Sequence, residues 1–177
     1  MQEHKDEELF IIFKVSTGSQ RNSAFDCLYM RYSEQITQYF YFALNKDYEK
    51  AKDFSHDLFI KLLESTDKFD SKQLFKPWIY RVASNMCKND FRKMNVINKF
   101  QEHVSTTSSP FTELNETEAR LARCIRSLDQ EHRSLIALRF KINLSIKEIA
   151  EIYECPEGTI KSRLFYATKE LSKRYKQ

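Results

Sequence analysis

A chain of 177 residues can bury one good core or two small ones, and with two glycines and three prolines it lacks the turn residues that a β-rich fold uses freely. No apolar run reaches the length of a membrane span, and Met1-Gln-Glu-His-Lys-Asp-Glu-Glu8 has neither the basic start nor the apolar middle of a signal peptide, so a cytoplasmic protein with no direct membrane insertion is expected. The net charge of +4 is unevenly spread: residues 1–94 carry 15 basic and 14 acidic side chains, residues 120–177 carry 13 and 7, and the C-terminal third is therefore the part suited to phosphate.

Apolar periodicity predicts a helix near Asp6–Ser16, with Leu9, Ile12 and Phe13 on its inner face and Gly18 at its end. A longer helix is expected from about Ser23 to Leu44, carrying Phe25, Leu28, Tyr32, Ile36, Tyr39 and Phe40, and broken by Asn45-Lys-Asp47. The pattern repeats over Tyr48–Glu64 through Ala51, Phe54, Leu58, Phe59 and Leu62. Residues 65–76 read as an irregular connection, and a fourth helix starts near Pro77 and runs to about Lys93 through Trp78, Ile79, Val82 and Met86. Val104-Ser-Thr-Thr-Ser-Ser-Pro110 reads as a flexible linker that lets two units close on each other or open. Beyond it, helices are expected near Thr112–Ser127 and Gln130–Phe140, with Asp129 as N-cap between them and Asn143 in a left-handed turn. The fold class is all-α: two small four-helix domains, at 1–94 and 112–177, joined through 95–111.

The last two helices carry the most specific local signal. Ser145 and Glu148 form a capping box, after which Ile146, Ile149, Ala150 and Tyr153 share a face. Pro156 opens the next helix, Gly158 and Thr159 give it a slim first turn, and Ile160 and Leu164 face inward. Lys161, Ser162, Arg163, Phe165 and Tyr166 are left on other faces, as in a helix-turn-helix that presents a recognition helix to a major groove.

A second constellation interleaves aromatic and basic residues from Lys68 to Lys93. Phe69, Lys72, Phe75, Arg81, Asn85 and Lys88 could hold single-stranded DNA, phosphates on the cations and bases on the rings, whereas Trp78, Val82 and Met86 share one face and suit a core. Core packing is the alternative for Phe69 and Phe75 as well. Cys27, Cys87, Cys124 and Cys155 are far apart and read as free thiols, with no metal site, and neither a nucleophile motif nor a phosphate-cradling glycine loop appears.

Three stretches in order, Ala51-Lys-Asp-Phe-Ser-His-Asp-Leu-Phe-Ile-Lys61, Trp78-Ile-Tyr-Arg-Val-Ala-Ser-Asn85 and Glu148-Ile-Ala150 with Gly158-Thr-Ile-Lys-Ser-Arg-Leu164, resemble the extracytoplasmic-function group of bacterial RNA polymerase sigma factors in the sigma-70 family. The resemblance implies region 2 and region 4 domains, no enzymatic activity, and no cofactor. It implies three partners: core RNA polymerase at its clamp region and flap, promoter DNA as duplex and as single strand, and an anti-sigma factor. Carried over by position, Asp53, His56, Asp57 and Lys61 would dock on polymerase. Phe69, Lys72, Phe75, Arg81, Asn85 and Lys88 would open the minus-10 element, and Thr159, Lys161, Ser162, Arg163, Phe165 and Tyr166 would meet the minus-35 element. Tyr166 stands where the family often has arginine, His56 where glutamine is common, and Pro77 where an ordinary helix former is usual. An autonomous helix-turn-helix regulator, binding a palindromic site as a dimer, is the alternative function.

Overall fold

Acidic residues open the first helix and tie it to two others. In the computed structural model, which describes residues 4–45, 47–64, 73–98 and 116–176, α1 spans Asp6–Val15 with Asp6, Glu7 and Glu8 at the positive end of its dipole. Asp6 accepts hydrogen bonds from Arg31 and from the Tyr32 hydroxyl, both at 2.5 Å. The Glu7 carboxylate accepts the backbone N–H of Phe75 at 2.9 Å, capping the helix that starts there from 68 positions away.

The helix α2 covers Gly18–Ala43 and begins earlier than the expected Ser23. Gly18 takes φ +58°, a left-handed step that glycine makes at no steric cost, so the chain turns from α1 into α2 with almost no loop. Asn45, at φ 65°, makes the next turn, and α3 occupies Tyr48–Glu64 as the periodicity predicts. The fourth helix, α4, runs Phe75–Asn98, so it starts two residues before Pro77. Pro77 falls in the first turn, where a backbone N–H has no helical partner to lose. Residues 95–98 belong to α4; the rest of the expected linker lies outside the described residues.

Phe75 corrects one expectation. Its ring is fully buried and sits 5.2 Å from Phe10, 5.3 Å from Tyr32 and 5.8 Å from Trp78, centroid to centroid. Burying a phenylalanine is worth roughly 1.5–3 kcal/mol over leaving it exposed. A base-stacking role would forfeit that, and the core takes Phe75. Trp78 packs 5.3 Å from Phe10 in the same cluster, as its helical face predicts.

In the C-terminal half, α5 (Glu116–Arg126) precedes α6 (Gln130–Ile136), which widens into a π turn over Ala137–Lys141. Asp129 caps α6 by accepting the His132 N–H at 2.8 Å. Asn143 makes the left-handed turn at φ 57°. The capping box forms on α7 (Ile146–Tyr153): Ser145 Oγ accepts from Glu148 N at 3.2 Å, and Glu148 accepts back from Ser145 N at 2.8 Å. Burial raises the Glu148 pKa, but the hydrogen bonds from Ser145 and the charge of Lys76 on α4 outweigh it, and the carboxyl sits below its usual range. Pro156 lies just before α8 (Glu157–Lys176) and its carbonyl accepts the Thr159 N–H at 2.9 Å, so it caps the helix where the sequence suggested a first helical residue. Every regular element among the described residues is helical.

The two halves share one core. Leu135, Leu138, Ile149, Ile160 and Leu164 join the same buried cluster as Leu28, Ile36, Phe40 and Ile79. Between them, the Tyr39 hydroxyl on α2 and Ser134 Oγ on α6 lie 2.5 Å apart, fully enclosed. Lys141 sits over the Phe42 ring at 4.8 Å. Burial pushes the Tyr39 and Tyr153 hydroxyls up, and pushes the neighbouring Cys87 thiol up to about 12, so all three are neutral. The Tyr153 hydroxyl lies beside Ser134 and Ser84, whose hydroxyls partly offset the effect of burial on it.

Candidate nucleic-acid and protein interfaces

The outer face of α8 is built by what its inner face buries. Ile160, Leu164 and Ala167 point into the core at three- and four-residue steps, which turns Lys161, Ser162, Phe165 and Tyr166 to solvent. Phe165 is 60% exposed and Tyr166 61%, with ring centroids 5.6 Å apart, a large apolar display on an otherwise charged helix. Lys169 approaches the Phe165 ring at 6.0 Å. Lys161 reaches only to 4.0 Å from Glu157, so its ammonium is nearly unengaged. Arg163 is held at 2.8 Å by Glu131 on α6, and Thr159, one turn earlier on α8, is half-buried. The arrangement offers cations, a hydroxyl and aromatic carbon together, the chemistry that reads base edges and thymine methyls.

Gly158 is informative because nothing in the protein needs it. A Cβ at this position would meet nothing within 4 Å, and its backbone is not left-handed. Gly158→Ala should hold or slightly raise the melting temperature, since glycine costs about 0.5–1 kcal/mol against alanine inside a helix. If the open space is where a DNA backbone approaches, the same change should weaken duplex affinity, measured by fluorescence anisotropy. Equal affinity for both forms would remove that role.

The second face lies on α4. Arg81, Asn85, Trp78, Ile79 and Val82 line a cleft of about 540 Å³ whose far wall is Lys61, Leu62 and Glu64 of α3. Asn85 and Lys88 are exposed, one and two turns beyond Arg81. Arg81 is half-buried and engaged: Nη1 donates to Glu154 at 2.8 Å and Nη2 to the Glu151 carbonyl at 3.0 Å, both from the α7 end. Lys88 lies over the Tyr153 ring at 4.7 Å. Phe69 and Lys72 fall outside the described residues. The sequence reading missed the α7 contacts because they join residues more than 60 apart; a surplus of acid on α7 facing base on α4 was the one available hint.

The third face belongs to α3. Ala51, Ser55, Leu58, Phe59 and Leu62 are buried, so Asp53, His56, Asp57, Lys61 and Glu64 emerge on the opposite side. Among these charges Ile60 is 50% exposed and Leu63 40%, an apolar pair within a polar surround, the composition of a protein-docking surface. Sequence reasoning named the polar members and passed over these two. Among the described residues no group of three His, Cys, Asp or Glu side chains could hold a metal, and no helix is long and apolar enough to cross a membrane.

Two family models match the chain. Residues 28–95 match the family model for sigma-70 region 2, and residues 124–173 match that for sigma-70, region 4. The chain is 30% identical to the ECF RNA polymerase sigma-E factor of Escherichia coli, over 89% of this chain and 88% of that one. It is 27% identical to the RNA polymerase sigma-H factor of Pseudomonas aeruginosa, covering 96% and 94%. Its fold is similar to that of CnrH in complex with the cytosolic domain of CnrY, at TM-score 0.69 and 20% identity over 94% of both chains. It is equally similar to the sigma factor RpoE in complex with the anti-sigma factor NepR from Bartonella quintana, at TM-score 0.69 and 22% identity, covering 86% of this chain and 96% of that one.

Proposed function

Because this chain belongs to the extracytoplasmic-function group of sigma-70 family sigma factors, we propose that its three exposed faces divide the work of initiation among them. It is a sigma factor: it binds core RNA polymerase, directs it to specific promoters and promotes DNA opening for transcription initiation. The α8 face, with Lys161, Ser162, Phe165 and Tyr166 on the bases and Arg163 on phosphate, reads the duplex minus-35 element. The α4 face, with Arg81, Asn85 and Lys88, receives the opened minus-10 strand, an unpaired base entering the cleft beside Trp78. The α3 face, through Asp53, His56, Asp57 and Lys61, docks on the polymerase clamp, with Ile60 and Leu63 supplying the apolar part. Residues 1–94 form region 2 and residues 112–177 form region 4 in this reading, with 95–111 between them; the match to region 2 ends at residue 95 and the match to region 4 spans 124–173.

One observation supports this division above the others: the two DNA-compatible helix faces fall one in each matched region. Polymerase performs the nucleotide chemistry, and this chain works in the cytoplasm without catalysis of its own. Two solved relatives are bound to protein partners, one of them an anti-sigma factor, and a partner of that class is proposed here. The test is run-off transcription with the purified chain and core polymerase on candidate promoters; absence of any promoter-dependent transcript sinks the assignment. In the same assay Asn85→Ala should lower opening, read by permanganate footprinting, by about tenfold, the worth of one good polar base contact. Full opening by that variant would remove Asn85 from the minus-10 face.

A further inference from the structure

The start of α4 has no cap of its own. Leu74 stands at the capping position without a side-chain acceptor, and Pro77 in the first turn has no N–H. The Phe75 amide is taken instead by Glu7, at 2.9 Å from the first turn of α1. Glu7 is presented from a fixed base. Beside it Asp6 accepts from Arg31 and Tyr32 of α2, and Leu9, Phe10 and Phe13 bury the inner face of α1. The same two helices meet through rings, with Phe10 5.2 Å from Phe75 and 5.3 Å from Trp78. The residues matched to region 2 begin at 28, so α1 precedes them and the match gives it no part in handling DNA.

The cleft lies on both sides of the capped amide. Gln73, two residues before Phe75, and Trp78, three after it, line that space together with Arg81, Val82 and Asn85. We propose that Glu7 is a positioning residue for strand opening: by holding the Phe75 N–H it fixes where the chain enters α4, and so how Gln73 and Trp78 stand in the cleft wall. The inference rests on the assignment of the α4 face to the minus-10 strand, and Glu7 acts through α4 rather than as a strand contact. A carboxylate suits this task, because its charge strengthens the hydrogen bond and complements the positive end of the helix dipole. The first turn of a helix frays soonest, since its amides have no helical partner. Trp78 stands in that turn, and its N–H reaches the Leu74 carbonyl at 3.3 Å, a long first rung. Loss of the cap is therefore felt at the cleft before it is felt in the core.

The experiment compares Glu7→Ala and Glu7→Gln with the parent, each as the full chain assembled with core polymerase. Glu7→Gln keeps an acceptor oxygen of the same reach and is the conservative variant. Trp78 is the chain's one tryptophan, so its emission, read on the free chain, reports the cleft directly. Glu7→Ala should make Trp78 more readily quenched by acrylamide and speed hydrogen exchange at the Phe75 amide. Permanganate reactivity of the minus-10 strand, at saturating holoenzyme, should fall by about three- to tenfold, the fold-change of losing one helix cap. Glu7→Gln should restore most of that loss, and co-migration with core polymerase should not change. If Glu7→Ala lowers the melting temperature while opening per bound holoenzyme stays at the parent level, the cap is structural and the inference is overturned. A fall in opening with Trp78 quenching unchanged overturns it too, because Glu7 then acts elsewhere. Should Glu7→Ala fail to fold, Glu7→Asp, shorter by one methylene, is read in the same way against Glu7→Gln. An effect of Asn85→Ala without one of Glu7 removes this inference alone, whereas full opening by Asn85→Ala removes the minus-10 reading beneath it.

Discussion

Phe10→Ala is expected to lower the free energy of unfolding by about 3–5 kcal/mol, the usual cost of emptying an aromatic site in a core. Phe10 is completely buried, and its ring meets Phe13 at 5.7 Å, Phe75 at 5.2 Å and Trp78 at 5.3 Å. These rings belong to α1 and α4, so the cavity would loosen the one joint that also carries the Glu7 cap on α4. Loss of stability that large consumes much of what a small protein has. Urea denaturation followed by circular dichroism measures it. A midpoint within error of the parent would mean that α1 is an accessory rather than part of the core. Short of unfolding, the functional damage should appear first in strand opening, because Trp78 lines the cleft on α4.

The paired change Lys161→Ala and Phe165→Ala should cut transcription from a minus-35-dependent promoter by at least about tenfold, since each specific base contact is worth about 1–3 kcal/mol. Stability should hardly move. Lys161 is exposed with one distant carboxylate neighbour, and Phe165 is 60% exposed, so neither holds the fold together. Core polymerase binding should also persist if the docking face is the one proposed on α3. Co-migration with core polymerase on size exclusion, alongside run-off yield, separates the two functions. Loss of both would contradict the division of labour between the helices. Loss of neither would mean that promoter choice resides elsewhere on α8.

Much of this was legible in the sequence, and the failures have definite causes. Helix periodicity, the Asp129 cap, the Ser145–Glu148 box and the Asn143 turn are local features, decided by residues within one or two turns, and they appear as expected. The start of α4 was misplaced because its cap is Glu7, a residue no local pattern could nominate. Phe75 is ambiguous in the sequence for a related reason: beside a loop an aromatic can go either way, and the pocket made by Phe10 and Tyr32 settles it. The exposed row on α8 is legible because inward residues fix the outward ones. The state of Arg81 could not, since its partners lie on a helix from the other half of the chain.

The buried thiol of Cys87 has a use that its chemistry makes simple. It is 1% exposed, lies next to Tyr39 at the seam between the halves, and its pKa of about 12 leaves almost no thiolate at neutral pH. While the seam is shut, an alkylating reagent has neither access nor a nucleophile to attack. Once water reaches that seam the thiol returns toward ordinary reactivity, so the alkylation rate at this one sulfur becomes a clock for how often the protein breathes. No dye or engineered pair is required, and the same mass-spectrometric reading can be taken inside a living cell.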